Sequence, residues 1–298
     1  MGRVVTAKGT SEITFKIVSY TVVTLFALMC LLPVALTLSS SLTTEEAIYE
    51  HGYSLVPKVV SLQAYEIVFK SPKGLLNAFA VSMLLAVFGT ALSLAVTSMT
   101  AYVIWRKDFP FKKQLSFFIY FTSIFAGGLV PLYIWLVRYL HLKNTIWALM
   151  LPNLTSAWNI LIFRSFLKSV PDSLVESAKI DGAGDFWIFL KIIMPISTPG
   201  LAVVGMFQAL YYWNDWYLAM LYIDTDKLYP LQFFLYKVLN NLQALQNAIA
   251  SSGIPIPDMP SQTLKMAITM LVALPVFFVF PVIQRYLVKG ITIGSVKG

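Results

Sequence analysis

The chain has 298 residues, of which 58% are hydrophobic and 12% are charged, and its mean hydropathy is +0.73. A soluble domain carries about 25% charged residues, so this composition excludes an ordinary water-soluble protein and indicates a membrane protein. The formal net charge is +8. No cluster of basic and aromatic residues stands in a soluble context, so the charge is interpreted as a topological signal and nucleic-acid binding is not expected.

Six apolar stretches are long enough to cross a membrane, because a bilayer core of about 30 Å needs about 20 apolar residues per helix. Five of them contain no Asp, Glu, Lys or Arg, and the fifth in chain order contains one such residue, Asp215. The sequence therefore predicts an all-α membrane protein with six transmembrane helices. The predicted spans are 17–38, 74–105, 114–137, 144–163, 192–223 and 266–284.

Positive charge is distributed unevenly between the connecting segments. The segments 1–16, 106–113, 164–191 and 285–298 contain 14 of the 22 lysine and arginine residues, and the alternate segments contain the other 8. Loops richer in lysine and arginine tend to remain in the cytoplasm. Both termini and the segment 164–191 are therefore predicted to be cytoplasmic, which is an N-in/C-in topology.

The predicted organisation has four parts in chain order. They are a cytoplasmic N-terminal segment at 1–16, the first transmembrane helix with an external loop at 17–73, a transmembrane domain at 74–290 and a cytoplasmic tail at 291–298. In the external loop, Glu45, Glu46 and Glu50 are interpreted as a solvated acidic face. The basic turn at 106–113 is expected to meet anionic lipid headgroups or a partner protein.

A polar segment containing two glycines follows the fourth apolar stretch. Ser169, Pro171 and Asp172 predict a helix start, because a capping hydroxyl, an early proline and an acid all suit a helix N-terminus. The helix is expected to continue to about residue 180. Gly182 and Gly184 then permit a tight turn, since glycine adopts conformations that other residues avoid.

A second short helix is predicted after this turn. Asp185 is its expected cap, and Pro195 marks its expected end. Its apolar face is predicted from helical spacing to consist of Phe186, Phe189, Leu190 and Ile193. A hairpin of two short helices could lie on the membrane surface or dock on a partner, and these residues leave both interpretations open.

Asp215 lies in an aromatic cluster at 211–217. A carboxylate in lipid costs roughly 2.5–3.5 kcal/mol, so it must face a bundle interior or water. Either the aromatic side chains form an interfacial belt and Asp215 makes hydrogen bonds between helices, or the cluster lines the path of a substrate. The second interpretation suits a carbohydrate, because aromatic faces stack on sugar rings and Asn and Asp accept hydrogen bonds from hydroxyl groups. Helical spacing would place Tyr212, Asp215 and Trp216 on one wall. The candidate path residues are Tyr212, Trp213, Asn214, Asp215 and Trp216.

The last predicted external segment, 224–265, is unusually long. A helix is predicted at 240–250, and the prolines that follow favour a stiff extended loop at 251–260. The segment could be a surface connection between two helices. Irregular segments of this length are often functional, which favours a binding role.

The segment 176–195 resembles the EAA loop of ATP-binding-cassette (ABC) importer permeases. That loop has Glu-Ala-Ala, three residues, Gly, nine residues, Ile, one residue and Leu-Pro. Here those spacings are occupied by Glu176-Ser177-Ala178, Gly182, Ile192 and Met194-Pro195, with Ser177 and Met194 as the departures. Asp181 and Ala183 also match the carbohydrate branch of these permeases. The loop implies an ATPase-coupling contact made by Glu176, Ser177, Ala178, Asp181, Gly182 and Ala183.

The six-helix layout and the Trp213-Asn-Asp215 element extend the resemblance over most of the chain. The chain is similar to relatives of the maltose permease and, among them, to a group that handles complex oligosaccharides, including uronate-rich fragments. The resemblance implies the transmembrane domain of an ABC importer permease, with a short cytoplasmic coupling hairpin between helices 4 and 5. It also implies a multi-pass protein of the bacterial cytoplasmic membrane.

The resemblance implies several partners as well. They are membrane lipid, a second permease subunit, two ATP-binding-cassette ATPase subunits, an oligosaccharide substrate and an extracytoplasmic binding protein, whose implied contacts are Asn247, Ser252, Gly253 and Pro255. The sequence contains no Gly-x-x-x-x-Gly-Lys-Ser/Thr phosphate loop. The chain is therefore not expected to be an enzyme or to hold a cofactor, and ATP and magnesium are expected on the partner ATPases.

Two alternative functions are considered. One is a secondary transporter in which Asp215 carries a proton or sodium ion, although such transporters usually contain internal inverted repeats. The other is an ABC permease for a non-sugar solute such as an amino acid or a phosphate-type anion. Basic rather than aromatic residues would then be expected on the pore wall.

Overall fold

The computed structural model of the protein describes residues 10–70, 72–252 and 261–295. Across these ranges the chain is helical, and its extended backbone forms one isolated bridge, between Thr43 and Val60. The helices are α1 (Thr10–Ser41), α2 (Glu45–His51), α3 (Gln63–Lys70), α4 (Pro72–Trp105), α5 (Lys112–Ile124), α6 (Leu129–Tyr139), α7 (Ile146–Asn153), α8 (Ala157–Leu167), α9 (Asp172–Ile180), α10 (Asp185–Ile196), α11 (Thr198–Asn214), α12 (Tyr217–Tyr222), α13 (Leu231–Ser252) and α14 (Ser261–Ser295). The prediction of an all-α protein is confirmed.

Three described helices, α1, α4 and α14, are by themselves long and apolar enough to cross a membrane. They contain the predicted first, second and sixth spans. The other predicted spans are not single helices. The third is broken between α5 and α6 with a bend of 111°, and the fourth between α7 and α8 with a bend of 52°. In the fifth region, α11 follows α10 at a bend of 83° and ends at Asn214.

The breaks have local causes within otherwise apolar sequence. Gly128, which precedes α6, has a φ of 92°, a conformation that side chains other than glycine rarely adopt. Pro152 lies in the single 3-10 turn that ends α7 and lacks the N–H that a continuing helix would use. Pro199 occupies the first turn of α11, where a missing N–H costs little. Hydropathy does not reveal these breaks, because the residues around them remain apolar.

The chain divides into two compact units, which we describe separately. In the unit formed by residues up to 70 together with 241–252 and 261–273, Glu45 binds the N-terminus of α14. Its carboxylate accepts hydrogen bonds from the backbone N–H of Gln262 at 2.8 Å and of Thr263 at 2.9 Å. A carboxylate at this position satisfies free amide groups and suits the positive end of the helix dipole. The interpretation of Glu45 as part of a solvated acidic face was therefore wrong, whereas Glu46 and Glu50 are not engaged in this contact.

In the second unit, α4 packs against α8 and α11. The side of α4 that faces them carries small residues, among them Ser93, Thr97 and Ala101, which are at most 1% exposed. Small residues allow helix backbones to approach closely. At Gly89 a Cβ atom would lie 2.7 Å from the ring of Tyr212 on α11, so glycine is required for this contact. The helices α4 and α11 therefore fit together with little room for relative displacement.

Candidate functional site

The predicted hairpin is present as α9, a turn at 181–184 and α10. Gly182, in the turn, has a φ of 80°. The Ala183 N–H donates to the Ala178 carbonyl at 2.9 Å, and the Gly182 N–H donates to the Lys179 carbonyl at 3.0 Å. These two bonds form a Schellman motif, which satisfies carbonyl groups at the end of a helix. No atom lies within 4 Å of the position that a Cβ would take on Gly182, so the backbone conformation alone demands glycine there.

Both predicted N-caps of the hairpin helices were wrong. The Ser169 hydroxyl donates to the Phe166 carbonyl at 2.7 Å and does not cap α9, whose N-cap residue is Pro171. Gly184 is the N-cap residue of α10, so Asp185 lies one position later and makes no capping hydrogen bond. Asp185 instead binds charged groups of neighbouring segments.

The buried face of α10 also differs from the predicted one. Phe189 and Ile193 are buried as predicted, but Phe186 and Leu190 are 65% and 48% exposed. Ile188 is completely buried in their place. The residues Phe189–Ile193 form a π-helical turn, so α-helical spacing does not apply within it; Phe186 and Ile188 precede this turn.

The six predicted coupling residues differ in accessibility. Ala178 is buried at 7% exposure and Ala183 is partly buried, whereas Glu176, Ser177, Asp181 and Gly182 are exposed. Ile180, next to the turn, is 87% exposed, which is unusual for an isoleucine at the tip of a hairpin. A surface depression of about 400 Å³ is lined by Leu174, Ser177, Ala178, Asp181, Ala183, Trp187 and Ile192. The hairpin thus presents apolar groups and a concave face to its surroundings.

Sequence reasoning missed a group of charged residues that holds the hairpin. Arg106 and Asp108, in the turn after α4, contact Lys179 of α9 and Asp185 of α10. The neighbouring Lys107 pairs with Asp172 in the first turn of α9. The sequence alone indicates only a basic surface at 106–113. No local pattern could have found these pairs, because the partners lie more than 60 residues away in the sequence.

Asp215 lies at the break between α11 and α12. Its Oδ1 accepts a hydrogen bond from the Leu218 N–H at 3.3 Å, so it caps α12. Its Oδ2 has no hydrogen-bond partner in the part of the chain that the structure describes. An aspartate favours such a position because its side chain can replace backbone partners at a helix start. Asp215 thus caps α12 with one oxygen, and its other oxygen is buried without a partner among the described residues.

The other residues of the aromatic cluster point in different directions. Tyr212 is 1% exposed and Trp213 is 6% exposed, whereas Asn214 is exposed and Trp216 is 40% exposed. The ring of Trp216 stacks on that of Tyr236, with 4.9 Å between centroids. Because α11 ends at Asn214, the helical spacing that would place Tyr212, Asp215 and Trp216 on one wall is not present, and that detail of the prediction was wrong.

Two polar side chains of α11 bind the broken fourth span, and the sequence analysis missed one of them, Gln208. The Gln208 amide donates to the Asn153 carbonyl at 2.8 Å and accepts from Asn159 at 3.0 Å. The Tyr212 hydroxyl donates to the Met150 carbonyl at 2.9 Å. A glutamine four residues before Tyr212 in an apolar run was the available signal. These bonds provide partners for carbonyl groups around the break at Pro152.

The predicted helix at 240–250 is confirmed within the longer α13. Ser251 and Ser252 are also helical, so the extended loop predicted from residue 251 does not begin there. Asn247 is exposed and accepts a hydrogen bond from Gln243 at 3.1 Å. Ser252 is the last residue of α13. Gly253 and Pro255, the other two predicted contacts of the binding protein, lie outside the described residues.

Comparison with known proteins identifies the family. The sequence profile described as "Binding-protein-dependent transport system inner membrane component" matches residues 115–293, which is more than half of the chain. The chain belongs to this family. Permeases of this family are transport components that lack an ATPase site of their own, and they work with ATPases, a further permease and a binding protein. The prediction that the chain is a multi-pass permease and not an enzyme is confirmed.

Relatives with known descriptions match almost the whole chain. The chain is 36% identical over 284 residues to the polygalacturonan/rhamnogalacturonan transport system permease protein YtcP of Bacillus subtilis, covering 95% of this chain and 98% of that protein. It is 34% identical over 270 residues to the protein LplC of the same organism, covering 90% of each. A crystal structure of a bacterial ABC transporter involved in the import of the acidic polysaccharide alginate matches with a TM-score of 0.81 at 27% identity, covering 94% of this chain and 99% of that chain.

These relatives confirm the resemblance to carbohydrate ABC permeases and do not favour the two alternative functions. Among the described residues, no group of three or more His, Cys, Asp or Glu side chains is arranged to hold a metal ion.

Proposed function

We propose that this chain is one of two permease subunits of a bacterial ABC importer for uronate-containing oligosaccharides. The observation that carries this proposal is the hairpin α9–α10, which bears the EAA-type residues on an accessible turn. The chain that contains it aligns over nearly its whole length with a polygalacturonan/rhamnogalacturonan permease. The import of alginate by the similar transporter supports an acidic sugar. The subunit resides in the inner membrane.

In the proposed topology the chain crosses the membrane six times, with each bent helix pair counted as one span and with both termini in the cytoplasm. The charge distribution of the connecting segments supports this orientation. It places the hairpin on the side where the two ATPase subunits bind. The exposed Glu176, Ser177, Asp181 and Gly182 would contact an ATPase directly. Ala178 and Ala183 would contribute by packing the hairpin.

We propose that the break after α11 faces the path of the sugar. Asn214 and Trp216 are accessible on either side of Asp215, whose Oδ2 is buried without a partner among the described residues and would meet a sugar hydroxyl only after the break opens. Tyr212 and Trp213, which are buried, would shape this region from behind. The proposed contacts of the extracytoplasmic binding protein are Asn247, Ser252, Gly253 and Pro255.

The two glycines of the hairpin turn provide a matched test of docking. A Cβ added to either Gly182 or Gly184 would meet open space, but only Gly182 has a positive φ, whereas Gly184 has a φ of −72°. Gly182→Val should therefore distort the turn at a cost of about 1–2 kcal/mol, which is a factor of about 5–30 in an equilibrium constant. Gly184→Val should be nearly neutral.

The measurement is retention of the ATPase subunits when the assembled importer is purified, followed by uptake of labelled oligogalacturonate in vesicles with the binding protein. We expect Gly182→Val to lose the ATPases and uptake, with membrane insertion unchanged. Equal retention of the ATPases by the wild type and Gly182→Val would contradict docking by the hairpin. Uptake of neutral malto-oligosaccharides in place of oligogalacturonate would contradict the substrate class.

Asp215 can be tested by two substitutions that separate its roles. Asp215→Asn keeps an oxygen that can cap α12 through Leu218 but removes the carboxylate, whereas Asp215→Ala removes both. If Asp215 lies on the sugar path, both variants should assemble and both should show reduced uptake. Normal uptake by Asp215→Asn would leave Asp215 with the capping role alone.

A further inference from the structure

Arg106 is a buried arginine directly after the last residue of α4. Its side chain is only 10% exposed. Its Nε donates to the Asp108 carboxylate at 2.8 Å, and one terminal nitrogen donates to the Tyr102 hydroxyl at 2.9 Å. The same nitrogen lies 3.2 Å from Oδ1 of Asp185, the first residue of α10. One guanidinium group thus connects the end of α4 with the second helix of the hairpin.

A second cation completes the group. The ammonium of Lys179, in the last turn of α9, donates to Asp108 Oδ2 at 2.6 Å and lies 3.6 Å from Asp185 Oδ1. Two cations and two carboxylates therefore join three segments: the end of α4, the last turn of α9 and the start of α10. We call Arg106, Asp108, Lys179 and Asp185 the hairpin clamp.

The charges of the hairpin clamp support one another. Hydrogen bonds from Arg106 and then from Lys179 hold the pKa of the Asp108 carboxyl well below its usual range. The hydrogen bond to Asp108 also raises the pKa of the Arg106 guanidinium. Both groups consequently remain ionised at neutral pH. Among the four residues, loss of Arg106 is expected to destabilise the hairpin clamp most. Removal of one partner from a buried ionic group leaves a charge without compensation, whereas exposed pairs contribute little to stability.

The chemistry of arginine fits this position. Its guanidinium is planar, remains charged and offers several N–H donors in fixed directions. Here those donors serve Tyr102, Asp108 and Asp185 at once. Lysine would keep the charge but could not reproduce this fixed set of directions. The geometry therefore indicates that position 106 requires arginine and not only a positive charge.

The helix to which the clamp is attached continues into the rest of the unit. Tyr102 belongs to α4, and thirteen residues earlier Gly89 of the same helix contacts the ring of Tyr212 on α11. The helix α11 ends beside Asp215. The hairpin is thus connected to the break at Asp215 in three steps: the contact of Asp185 with Arg106, the helix α4, and the contact of Gly89 with Tyr212 on α11.

We propose that Arg106 is a positioning residue that joins the hairpin to α4, so that movement of the hairpin moves the second span with it. This inference rests on the proposed docking of the hairpin to an ATPase. Arg106 itself need not touch the ATPase or the sugar. Its loss should leave the docking surface in place but weaken the transmission of movement from it.

The test uses the complete importer in vesicles with its ATPases and binding protein. The measured quantities are ATPase retention and the number of oligogalacturonate molecules imported per ATP hydrolysed. For Arg106→Gln we expect the ATPases to remain bound while import per ATP falls about tenfold or more. Arg106→Lys should give an intermediate ratio, because it keeps the charge and loses the directed donors.

Lys107→Ala is the matched control. Lys107 is the next residue, has the same charge and pairs with Asp172 of the hairpin, as Arg106 pairs with Asp185, but the side chain of Lys107 is 80% exposed. We expect its import per ATP to equal that of the wild type. An unchanged ratio in Arg106→Gln, or an equal loss in Lys107→Ala, would overturn the proposal.

A further pair of variants covers the case in which Arg106→Gln does not fold. Asp185 is 64% exposed, and Arg106 keeps its pair with Asp108, so Asp185→Asn removes one link without leaving the buried Arg106 unpaired. We expect a smaller loss of import per ATP from Asp185→Asn and none from the exposed Asp172→Asn. A wild-type ratio in Asp185→Asn would count against the joint. If Gly182→Val retains its ATPases, the proposed docking of the hairpin is contradicted. If Gly182→Val loses its ATPases but Arg106→Gln and Asp185→Asn import as much per ATP as the wild type, only the proposed role of Arg106 is contradicted.

Discussion

The helical unit formed by residues 72–240 and 274–295 is held together by different chemistry at its two ends. At one end the hairpin clamp uses four charged side chains around the buried Arg106. At the other end, neutral groups of Asn144 join the loop before α7 to the chain after α12. The Asn144 Oδ1 accepts from the N–H groups of Asp224 at 3.2 Å and Thr225 at 3.0 Å, and its Nδ2 donates to the Thr225 hydroxyl at 2.6 Å.

The two sets of contacts differ in the groups that they join and in their dependence on charge. The bonds of Asn144 are directed at backbone groups, and its own N–H donates to the Tyr222 carbonyl at 2.8 Å, so the two chain segments are held in one register. The hairpin clamp joins side chains through directed hydrogen bonds between charged groups, so it depends on charge as well as on geometry. One end is thus held by neutral hydrogen bonds and the other by charged side chains, whose attraction salt can screen.

The largest effect in this comparison is expected from Asn144→Ala. This change removes the side-chain hydrogen bonds, at about 1 kcal/mol each, and forces alanine to adopt the φ of 60° found at Asn144, at about 1–2 kcal/mol. The thermal unfolding midpoint of the purified subunit should fall clearly. Asn144→Gly removes the same hydrogen bonds without the backbone strain, so its midpoint should lie between those of the wild type and Asn144→Ala.

Equal midpoints for the alanine and glycine variants would show that the backbone conformation of Asn144 contributes nothing to stability.

Lys143→Ala is the control at the neighbouring position. Lys143 lies 2.9 Å from Asp224, and the hydrogen bond to Asp224 raises the pKa of the Lys143 ammonium. Both groups are largely exposed, so the pair should contribute little and the midpoint should stay at the wild-type value. Because the pKa is raised, any contribution is present at neutral pH and disappears only as the pH rises through that pKa.

A smaller effect, confined to one end, is expected from salt. Raising the ionic strength from 0.1 to 1 M shortens the screening length from about 10 Å to about 3 Å. The outer contacts of the hairpin clamp should weaken, whereas the neutral bonds of Asn144 should not. Hydrogen exchange of backbone amides should therefore become faster in 172–185 and stay unchanged in 222–229. A uniform change at both ends would show that charge does not distinguish them.

The sequence predicted those features that depend on local composition. The lengths of α1, α4 and α14 follow from runs of apolar residues, and the hairpin follows from Pro171, Asp172 and Gly182, whose conformational preferences act within a few residues. The EAA-type spacing added the functional meaning of the hairpin. Family membership and the carbohydrate relatives confirm the permease class, and the docking role of the hairpin stays a prediction.

The features that escaped prediction depend on contacts between distant residues. Lys179 and Asp108 are 71 residues apart, and nothing in either neighbourhood indicates the other. On α10, Ile188 packs with Phe189 and Ile193 in a cluster that includes residues of other helices, and the α-helical spacing used for the prediction is interrupted by a π-helical turn. The breaks at Gly128 and Pro152 lie in sequence that remains apolar on both sides. Hydropathy measures length and not continuity, so it counted each broken pair as one helix.

The contact of Glu45 with the start of α14 bears on how the chain is synthesised. Glu45 leaves the ribosome early, but the amide groups that it binds belong to residues about 217 positions later. During most of translation this carboxylate has no such partners, so α2 can make this contact only after the start of α14 has emerged. A chain that stops before residue 261 would lack the amide groups that Glu45 binds, and its first unit would be incomplete.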